Sequence, residues 1–405
     1  MSSALDRFMR YIAIDTQSDD DSTSSPSTVK QFRLARLLKE ELTAMGVSNV
    51  RLDDQHCYVY GEIPANREGD IPAVGFIAHM DTSPAAPGDA SNARIHANYD
   101  GGVIQLNDSV SLDPAIYPEL KNYVGCDLIV TDGVSLLGSD DKAGIAEIMS
   151  MAEELISDPS IPHGRIGIAF TSDEEVGGNA EYFDIEGFGM DFAYTVDGSA
   201  IGEIEYENFN AAEARVYVKG RDIHPGYSKN IMVNAVRIAA ELDRMLPQEE
   251  RPEYTEGYDG FYHLSSLTGS VSKAESRYII RDHDMDRFNE KIDLMRKCVD
   301  YLNVKYGNSV ELVIREQYRN MKNLIKPHRF LIDNAKAAFL ACGVEPKVKS
   351  IRGGTDGARL TYRGLPCPNL STGGLNFHSN TEYIPVQSLE KMADVLVVLA
   401  SLPAR

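Results

Sequence analysis

The chain has 405 residues, and its 61 acidic side chains against 40 basic ones give a formal net charge of −21 at pH 7. So acidic a protein repels nucleic-acid phosphates unless it carries a concentrated basic patch, and its basic stretches are interrupted by apolar residues. We therefore expect no nucleic-acid partner. The length exceeds the roughly 250–300 residues at which a single hydrophobic core stops growing, so we expect two domains.

The composition is that of a soluble globular enzyme, with 43% hydrophobic and 25% charged residues. No apolar run approaches the roughly 18 residues that a membrane span needs, and the N-terminal residues do not resemble a signal peptide. The five cysteines are far apart and form no Cys-x-x-Cys pair, so they indicate neither a disulfide framework nor a thiolate zinc site. We expect a cytoplasmic protein with no membrane partner.

The first two hundred residues alternate helices with buried strands. The apolar periodicity predicts a helix over 29–45 closed by Gly46, strands at 73–78, 166–170 and 192–196, and a helix that follows Asp140-Asp141 and runs to about residue 156. This alternation predicts an α/β layer with a mixed, mostly parallel sheet flanked by helices.

The pattern changes between residues 210 and 320. It predicts strands at 213–219, 266–272, 276–282 and 309–317 and helices at 231–245 and 285–303. The order βαββαβ is that of a ferredoxin-like α+β unit. Helices predicted at 329–342 and 387–401 then return to the first pattern. We therefore expect a catalytic domain built from residues 1–209 and 321–405, interrupted by an inserted lid domain at 210–320.

Charged and metal-capable residues follow several of the predicted strands directly. His79 and Asp81 follow the strand at 73–78, Glu174 and Glu175 come after the next strand, and Asp197 follows the third. Ligands bind at the carboxyl edge of the strands in open α/β sheets. The sequence therefore predicts that these five side chains converge on one edge.

Asp140, before a helix, and His378, in a Gly-rich segment, extend this group to two imidazoles and four or five carboxylates. Such a mixed set suits zinc, manganese or cobalt, and its size fits two ions about 3.5–4 Å apart. Each pair alone has a simpler interpretation, since His-x-Asp can be a hydrogen-bonded pair and Asp140-Asp141 a helix cap. Together, so much negative charge would be costly without cations.

The chain contains no Gly-x-Ser-x-Gly elbow, His-Glu-x-x-His helix, Walker loop or dinucleotide fingerprint. The segment 352–357, Arg-Gly-Gly-Thr-Asp-Gly, is Gly-rich but lacks the lysine of a phosphate-binding loop. Backbone amides that bind a carboxylate and a simple tight turn both remain open for this segment.

Longer segments resemble a known group of enzymes. Residues 75–84, 137–144, 173–177 and 194–198 resemble the co-catalytic zinc exopeptidases, and residues 255–264, 278–282 and 351–357 are similar to the peptidase T family of tripeptide aminopeptidases within that group. The likeness extends across essentially the whole chain. Ser139, Ser199 and Ser379-Asn380 depart from the family pattern beside expected ligands.

This resemblance implies a set of metal ligands and a base. It implies two zinc ions, with manganese or cobalt as possible substitutes, held by one set of His79, Asp140 and Asp197 and a second set of Asp140, Glu175 and His378. Glu174 matches the general base, and Asp81 matches the acidic residue behind His79. The choice of Asp140 over Asp141 as the shared ligand comes from the resemblance alone.

The resemblance also implies an activity, namely removal of the N-terminal residue from tripeptides by a hydroxide that the two zinc ions generate from a shared water. His224 would stabilise the oxyanion when the domains close, and Arg281 would pair with the peptide carboxylate. Arg352, Gly353 and Gly354 are further substrate-binding candidates. The simpler interpretations are a turn before Pro225 for His224, and an ion pair with Asp282 or Asp284 for Arg281.

The expected partners are short peptides, and the expected assembly is a monomer or a homodimer through the lid domain. A dipeptidase or an N-acyl-amino-acid amidohydrolase on the same scaffold is the first alternative, since it would need the same metals and base. A catalytically inactive peptide-binding protein is a more remote alternative.

Overall fold

The structure is a computed structural model that describes residues 3–69, 71–177 and 179–402. It divides into two compact units. The first unit is built from the chain up to Tyr206, from Leu324–Lys349 and from the chain after Gly354. The second unit is Glu207–Asn323 together with Ser350–Gly354.

The helices and strands are numbered in chain order. The helices are α1 (Ala4–Ile12), α2 (Gln31–Met45), α3 (Ser139–Ser157), α4 (Ile185–Phe188), α5 (Ala235–Met245), α6 (Met285–Tyr306), α7 (Lys322–Ile325), α8 (Phe330–Ala341), α9 (Asp356–Tyr362) and α10 (Val386–Ser401). The strands are β1 (Ser48–Leu52), β2 (Val59–Ile63), β3 (Val74–His79), β4 (Arg94–His96), β5 (Ile104–Gln105), β6 (Ser111–Leu112), β7 (Leu128–Val130), β8 (Ile166–Thr171), β9 (Phe192–Gly198), β10 (Glu203–Asn208), β11 (Asn210–Lys219), β12 (Phe261–Gly269), β13 (Lys273–Asp282), β14 (Val310–Tyr318), β15 (Lys347–Ile351), β16 (Asn369–Ser371) and β17 (Tyr383–Pro385).

The largest sheet has eight strands in the order β1-β2-β8-β3-β9-β16-β10-β15. Its centre is parallel, since β8, β3, β9 and β16 pair in parallel. At the sides, β1 pairs antiparallel with β2, β2 with β8, and β10 with β16. The central strands β3 and β8 are buried along nearly their whole length, which explains their continuous apolar runs. The predicted α/β class with a flanked, mostly parallel sheet is confirmed.

The helices of the first unit cover this sheet. α3 packs against β3, β9, α1 and α10, and most of its side chains are buried. The predicted helix over 29–45 begins at Gln31 and ends as expected, because Gly46 adopts φ 89° and its N–H bonds back to the carbonyls of Leu42 and Thr43.

The second unit contains a four-stranded antiparallel sheet in the order β12-β13-β11-β14, with α5 and α6 packed against it. This strand order is that of the predicted ferredoxin-like arrangement. Several predicted boundaries differ from the structure, and two of them differ by four or five residues. α5 begins at Ala235 rather than 231, because the Asn234 side chain caps the helix by accepting from the Arg237 N–H. β12 begins at Phe261 rather than 266, since its pairing with β13 extends to Arg281.

The short segment Ser350–Gly354 belongs to the second unit, although the sequence boundary at 321 assigned it to the catalytic domain. The Arg352 guanidinium accounts for this difference. It donates to the carbonyls of Gly257 at 2.7 Å and Asp259 at 3.1 Å and to the Thr255 hydroxyl at 3.1 Å. These contacts are too distant in sequence for a local pattern to reveal.

Two further observations concern the cysteines and the apolar character of the helices. All five cysteines are free thiols. Among the described residues, no helix combines the length and the apolar character that a bilayer crossing requires.

The contact between α3 and β9 predicts a stability effect at Gly144. A Cβ at this position would lie 2.0 Å from the Val196 carbonyl oxygen of β9, and main chain cannot move aside as a flexible side chain can. We expect Gly144→Ala to lower the free energy of unfolding by at least about 1–3 kcal/mol, measured by thermal or denaturant unfolding. Gly353→Ala is the control, since its Cβ would meet nothing closer than 3.9 Å. An unfolding midpoint in Gly144→Ala equal to that of the control would contradict this packing.

Candidate metal centre

The predicted ligands meet at the carboxyl edge of the parallel strands. His79 is the last residue of β3, and Asp197 lies at the end of β9. Glu175 follows β8 after a short turn, and Asp140 lies in the first turn of α3. His378 comes from the loop between β16 and β17. The topology therefore brings together the five side chains for which the sequence predicts a ligand role.

The carboxylate of Asp140 lies between the two imidazoles. Its Oδ1 is 2.8 Å from Nε2 of His79, and its Oδ2 is 3.1 Å from Nε2 of His378. Asp197 Oδ1 lies 3.4 Å from the same His79 nitrogen, and Glu175 Oε2 lies 2.8 Å from the same His378 nitrogen. Two sets of donor atoms therefore share Asp140, one with His79 and Asp197 and the other with Glu175 and His378.

Asp141 also lies near His79 and Asp197, and these three residues offer donor atoms within 4.8 Å of one another. The Asp141 oxygens are already used, however. One accepts from the His79 N–H at 3.1 Å and the other from the Gly144 N–H at 3.2 Å. Each oxygen of Asp140 instead faces an imidazole nitrogen, whereas each Asp141 oxygen is bonded to a main-chain N–H.

The hydrogen bonding of His79 fixes which of its nitrogens can bind a metal. Nδ1 lies 3.0 Å from the carbonyl oxygen of Asp81, which can only accept, so the ring N–H is at Nδ1. In neutral His79 the Nε2 lone pair then points at the oxygens of Asp140 and Asp197. Lone pairs that face one another repel unless a proton or a metal cation lies between them.

The side chain of Asp81 connects His79 to the two glutamates. Its Oδ1 accepts from the Glu174 N–H at 3.0 Å and lies 3.4 Å from His79 Nδ1, while its Oδ2 accepts from the Glu175 N–H at 3.3 Å. The sequence predicted only the contact with His79. The completely buried carboxylate therefore also anchors the segment that carries Glu174 and Glu175.

Burial and mutual repulsion change the acidity of the cluster. Burial raises the pKa of Glu175 to about 8 and that of Asp197 to about 7, and the charge of Asp140 adds to both shifts. Burial and then the charge of Asp197 hold the pKa of Glu174 well above the usual carboxyl range. Burial also acts to raise the pKa of Asp140. Hydrogen bonds from both imidazoles outweigh that effect, so the pKa of Asp140 is lowered. A cation relieves the repulsion behind these shifts.

The donor set fits divalent metal ions. It combines two imidazoles with carboxylates, and Oε1 of Glu175 is buried with no hydrogen-bond partner among the described residues. An orphaned buried carboxylate oxygen is costly unless something positive binds it. Imidazole with carboxylate suits zinc, manganese or cobalt rather than calcium or magnesium.

Sequence reasoning missed three buried carboxylates around the cluster. Glu382 accepts hydrogen bonds from the loop that leads to Asp140. Asp173 accepts from the Ser27 main chain and from Gln31, and Asp356 accepts from Thr171 at 3.0 Å. Asp173 adjoins Glu174 and Asp356 lies in the Gly-rich segment 352–357, whereas no sequence pattern indicated Glu382.

The three serines beside the ligands hold the ligand loops. Ser139 donates to Glu382, and Ser199 donates to the Gly374 carbonyl at 3.0 Å in the segment that leads to His378. The Ser379 hydroxyl accepts from the Thr381 N–H at 3.1 Å in the same loop as His378. Each serine therefore has a local structural partner.

His224 and Arg281 belong to the second unit. His224 is exposed, and its Nδ1 accepts from the Gly226 N–H at 3.1 Å, so the neutral ring carries its hydrogen on Nε2. Arg281 donates to Gln317 at 3.0 Å and lies 5.0 Å from the centre of the Tyr318 ring. Among the described residues no carboxylate lies within ion-pair distance of Arg281, and Asp282 instead lies 3.6 Å from Lys291.

The loop that contains Arg352, Gly353 and Gly354 is held by packing. The Arg352 guanidinium, bonded to residues 255–259 as described above, also lies over the rings of Phe209 and Phe261. A Cβ on Gly354 would lie 2.6 Å from the Tyr318 ring, which explains the glycine. These contacts favour the tight-turn interpretation for the first part of this loop.

Comparisons with known proteins identify relatives that align with nearly the whole chain. Residues 206–308 match a family model described as a peptidase dimerisation domain. A peptidase T from Alkaliphilus oremlandii is 51% identical over 407 residues, which cover 99% of this chain and 99% of that protein. A peptidase T from Parabacteroides distasonis is 48% identical over 403 residues, again 99% of both.

Solved structures with a similar fold include the aminopeptidase PepT from Bacillus cereus, with a TM-score of 0.78 at 22% identity over 98% of this chain and 97% of that one. The Bacillus subtilis protein YXEP, described as a dinuclear metal binding peptidase from the M20 family, has a TM-score of 0.67 at 12% identity over 98% and 96%. At such identities the likeness establishes the fold alone.

The pKa shifts predict how the stability of the chelator-treated protein depends on pH. Asp197 and Glu175, with pKa values of about 7 and about 8 in the folded protein, keep protons that the unfolded chain has lost by about pH 5. The folded state then binds more protons, so stability should fall as pH rises from about 5 to about 8. The raised pKa of His378, which hydrogen bonds to Asp140 and Glu175 cause, acts in the same direction above about pH 6.5.

Calorimetric melting at several pH values in chelator measures this dependence. Glu175→Gln is the matched variant, since it removes one titrating group and should flatten the decline. A melting temperature that is constant or rises between pH 5 and pH 8 would show that these carboxylates do not share a buried cluster.

Proposed function

The chain belongs to the peptidase T family, and we propose on that premise that it removes the N-terminal residue from tripeptides by metal-dependent hydrolysis. The observation that carries the proposal is the pair of ligand sets that share Asp140. Two ions side by side suit the hydrolysis of an unactivated amide, which needs both a nucleophile and a polarised carbonyl.

In this proposal His79, Asp140 and Asp197 hold one ion, and Asp140, Glu175 and His378 hold the other. We propose zinc, with manganese or cobalt as substitutes that the same donors accept. When bound, such ions lower the pKa of water toward neutrality and polarise the scissile carbonyl. The N–H at Nδ1 of His79, donated to the Asp81 carbonyl, keeps Nε2 free to act as a ligand.

Glu174 would act as the general base. It would accept a proton from the attacking water and pass it to the leaving amine. Burial and the charge of Asp197 raise the pKa of Glu174, which favours uptake of a proton by its carboxylate. The Asp81 carboxylate would fix its position through the Glu174 N–H.

We propose that His224 and Arg281 contact the substrate. The Nε2–H of His224 is a donor of the kind that stabilises an oxyanion. Arg281 lacks a carboxylate partner among the described residues, so its guanidinium can bind the terminal carboxylate of a short peptide. An unchanged kcat in His224→Ala would remove His224 from this scheme.

A homodimer through the second unit is part of the same proposal, because the family model that matches residues 206–308 describes a dimerisation domain. Light scattering gives the mass in solution and distinguishes a dimer from a monomer of 44.7 kDa.

The activity itself is tested with a panel of substrates. We expect the zinc-loaded protein to release the N-terminal amino acid from a free tripeptide faster than it cleaves a dipeptide or an N-acetyl amino acid, and to lose this activity in chelator. Mass spectrometry of the products identifies which bond is cut. Preferential cleavage of the dipeptide or of the N-acetyl compound would replace the proposal with a dipeptidase or an amidohydrolase, and binding without cleavage would indicate a peptide-binding protein.

A tripeptide amide in the same panel tests Arg281. Arg281→Met should raise KM for the free tripeptide by about 10–100-fold, since hydrogen bonds to charged groups contribute about 1.5–3 kcal/mol. KM for the amide, which lacks the charge, should change little. Equal effects on both substrates would contradict carboxylate recognition.

Glu174→Gln tests the general base. Because Glu174 belongs to neither ligand set, we expect the variant to retain its metal while kcat falls by about 10²–10⁴-fold. The measurements are metal content by mass spectrometry and kcat on the tripeptide. Glu181→Gln, which changes an exposed carboxylate, is the control. A near-normal kcat in Glu174→Gln would exclude the role as base, and loss of metal would make Glu174 a ligand instead.

A further inference from the structure

Glu382 lies at the base of the loop that carries His378. The ends of this loop are joined by main-chain hydrogen bonds between Leu375 and Tyr383 in both directions, at 2.9 and 3.1 Å. The Glu382 N–H also donates to the Ser379 carbonyl at 3.1 Å. The position of Glu382 is therefore rigidly linked to that of the His378 loop.

The side chain of Glu382 is bound to the other ligand loop. Oε2 accepts from the main-chain N–H groups of Leu137 at 2.8 Å and Gly138 at 2.9 Å. Oε1 accepts from the Ser139 hydroxyl at 2.5 Å and from the Asp140 N–H at 3.2 Å. All four partners are donors, and they belong to the consecutive residues 137–140, which lead into the first turn of α3.

The Glu382 carboxylate and its partners lie inside the protein. Glu382 is 1% exposed, and Ser139 is completely buried. Burial raises the pKa of Glu382, and the hydrogen bonds from the four converging donors oppose that shift. Burying a carboxylate destabilises the folded protein unless other interactions compensate. Capping α3 alone does not account for a buried carboxylate at the junction of two ligand loops.

We propose that Glu382 is a positioning residue for the metal centre, which holds the loops of Asp140 and His378 at the separation that two neighbouring ions require. The inference rests on the proposed function, because it assumes that Asp140 is the shared ligand. Glu382 touches no reacting atom in this scheme. It acts through the main chain of Asp140 and through the loop of His378, whose Nε2 lies 3.1 Å from Asp140 Oδ2.

Cobalt(II) titration of the chelator-treated full-length protein tests this role, with the visible absorption of cobalt as the signal of coordination. In Glu382→Gln the side chain keeps nearly the same shape. Its NH₂ group, however, would face main-chain N–H donors and cannot accept hydrogen bonds from them. We expect it to weaken binding of at least one ion by about 10–100-fold, as losses of outer-shell partners do, and to lower kcat on the tripeptide with KM nearly unchanged.

Two further variants make the result specific. Ser139→Ala removes only one of the four hydrogen bonds, so its loss of cobalt affinity should be smaller and in the same direction. Glu147→Gln is the matched control, because Glu147 is a fully buried carboxylate of the same helix whose oxygens have no partner among the described residues. Its cobalt affinities should equal those of the unaltered protein.

A folded Glu382→Gln variant with unchanged cobalt affinities and an unchanged cobalt spectrum would overturn the inference, even if its melting temperature fell. If that variant does not fold, Ser139→Ala decides, and unchanged affinities there would overturn it equally. If the unaltered protein binds cobalt but cleaves no tripeptide, the proposed function fails while the cobalt affinities still decide the role of Glu382.

Discussion

Negative charge at the carboxyl edge of the central sheet is the constraint on which the rest of the structure depends. Asp140, Glu175 and Asp197 converge there with two imidazoles, and burial together with mutual repulsion raises the pKa of Glu175 and Asp197. Such a group is stable only with protons or cations among its oxygens. The parallel strands bring the group together because their carboxyl ends meet at a single edge.

The first turn of α3 connects this group to the rest of the first unit. Asp140 faces both imidazoles, and Asp141 beside it accepts from the main chain of His79 and Gly144. The same turn is held from the far end of the chain by Glu382. Hydrogen bonds to the main chain therefore help to position the ligands, which come from five separate chain segments.

Much of this organisation could be predicted from the sequence, and the reasons differ from residue to residue. His79 and Asp197 follow apolar strand patterns, so the rule for parallel sheets predicted their convergence. The choice between Asp140 and Asp141 could not be made from spacing, because it depends on which carboxylate is used by main-chain amides. Glu382 was missed because its partners are 242–245 residues away in sequence. The Arg352 contacts were missed for the same reason, since their partners lie in a different part of the chain.

In the proposed site the carboxylate of Asp140 is shared by two metal ions. A crystal structure of the zinc-loaded protein, with anomalous scattering recorded at the zinc edge, tests it most directly. We expect two anomalous peaks, one coordinated by His79, Asp140 and Asp197 and the other by Asp140, Glu175 and His378. A single peak bound by Asp141, or no peak at this edge of the sheet, would contradict it.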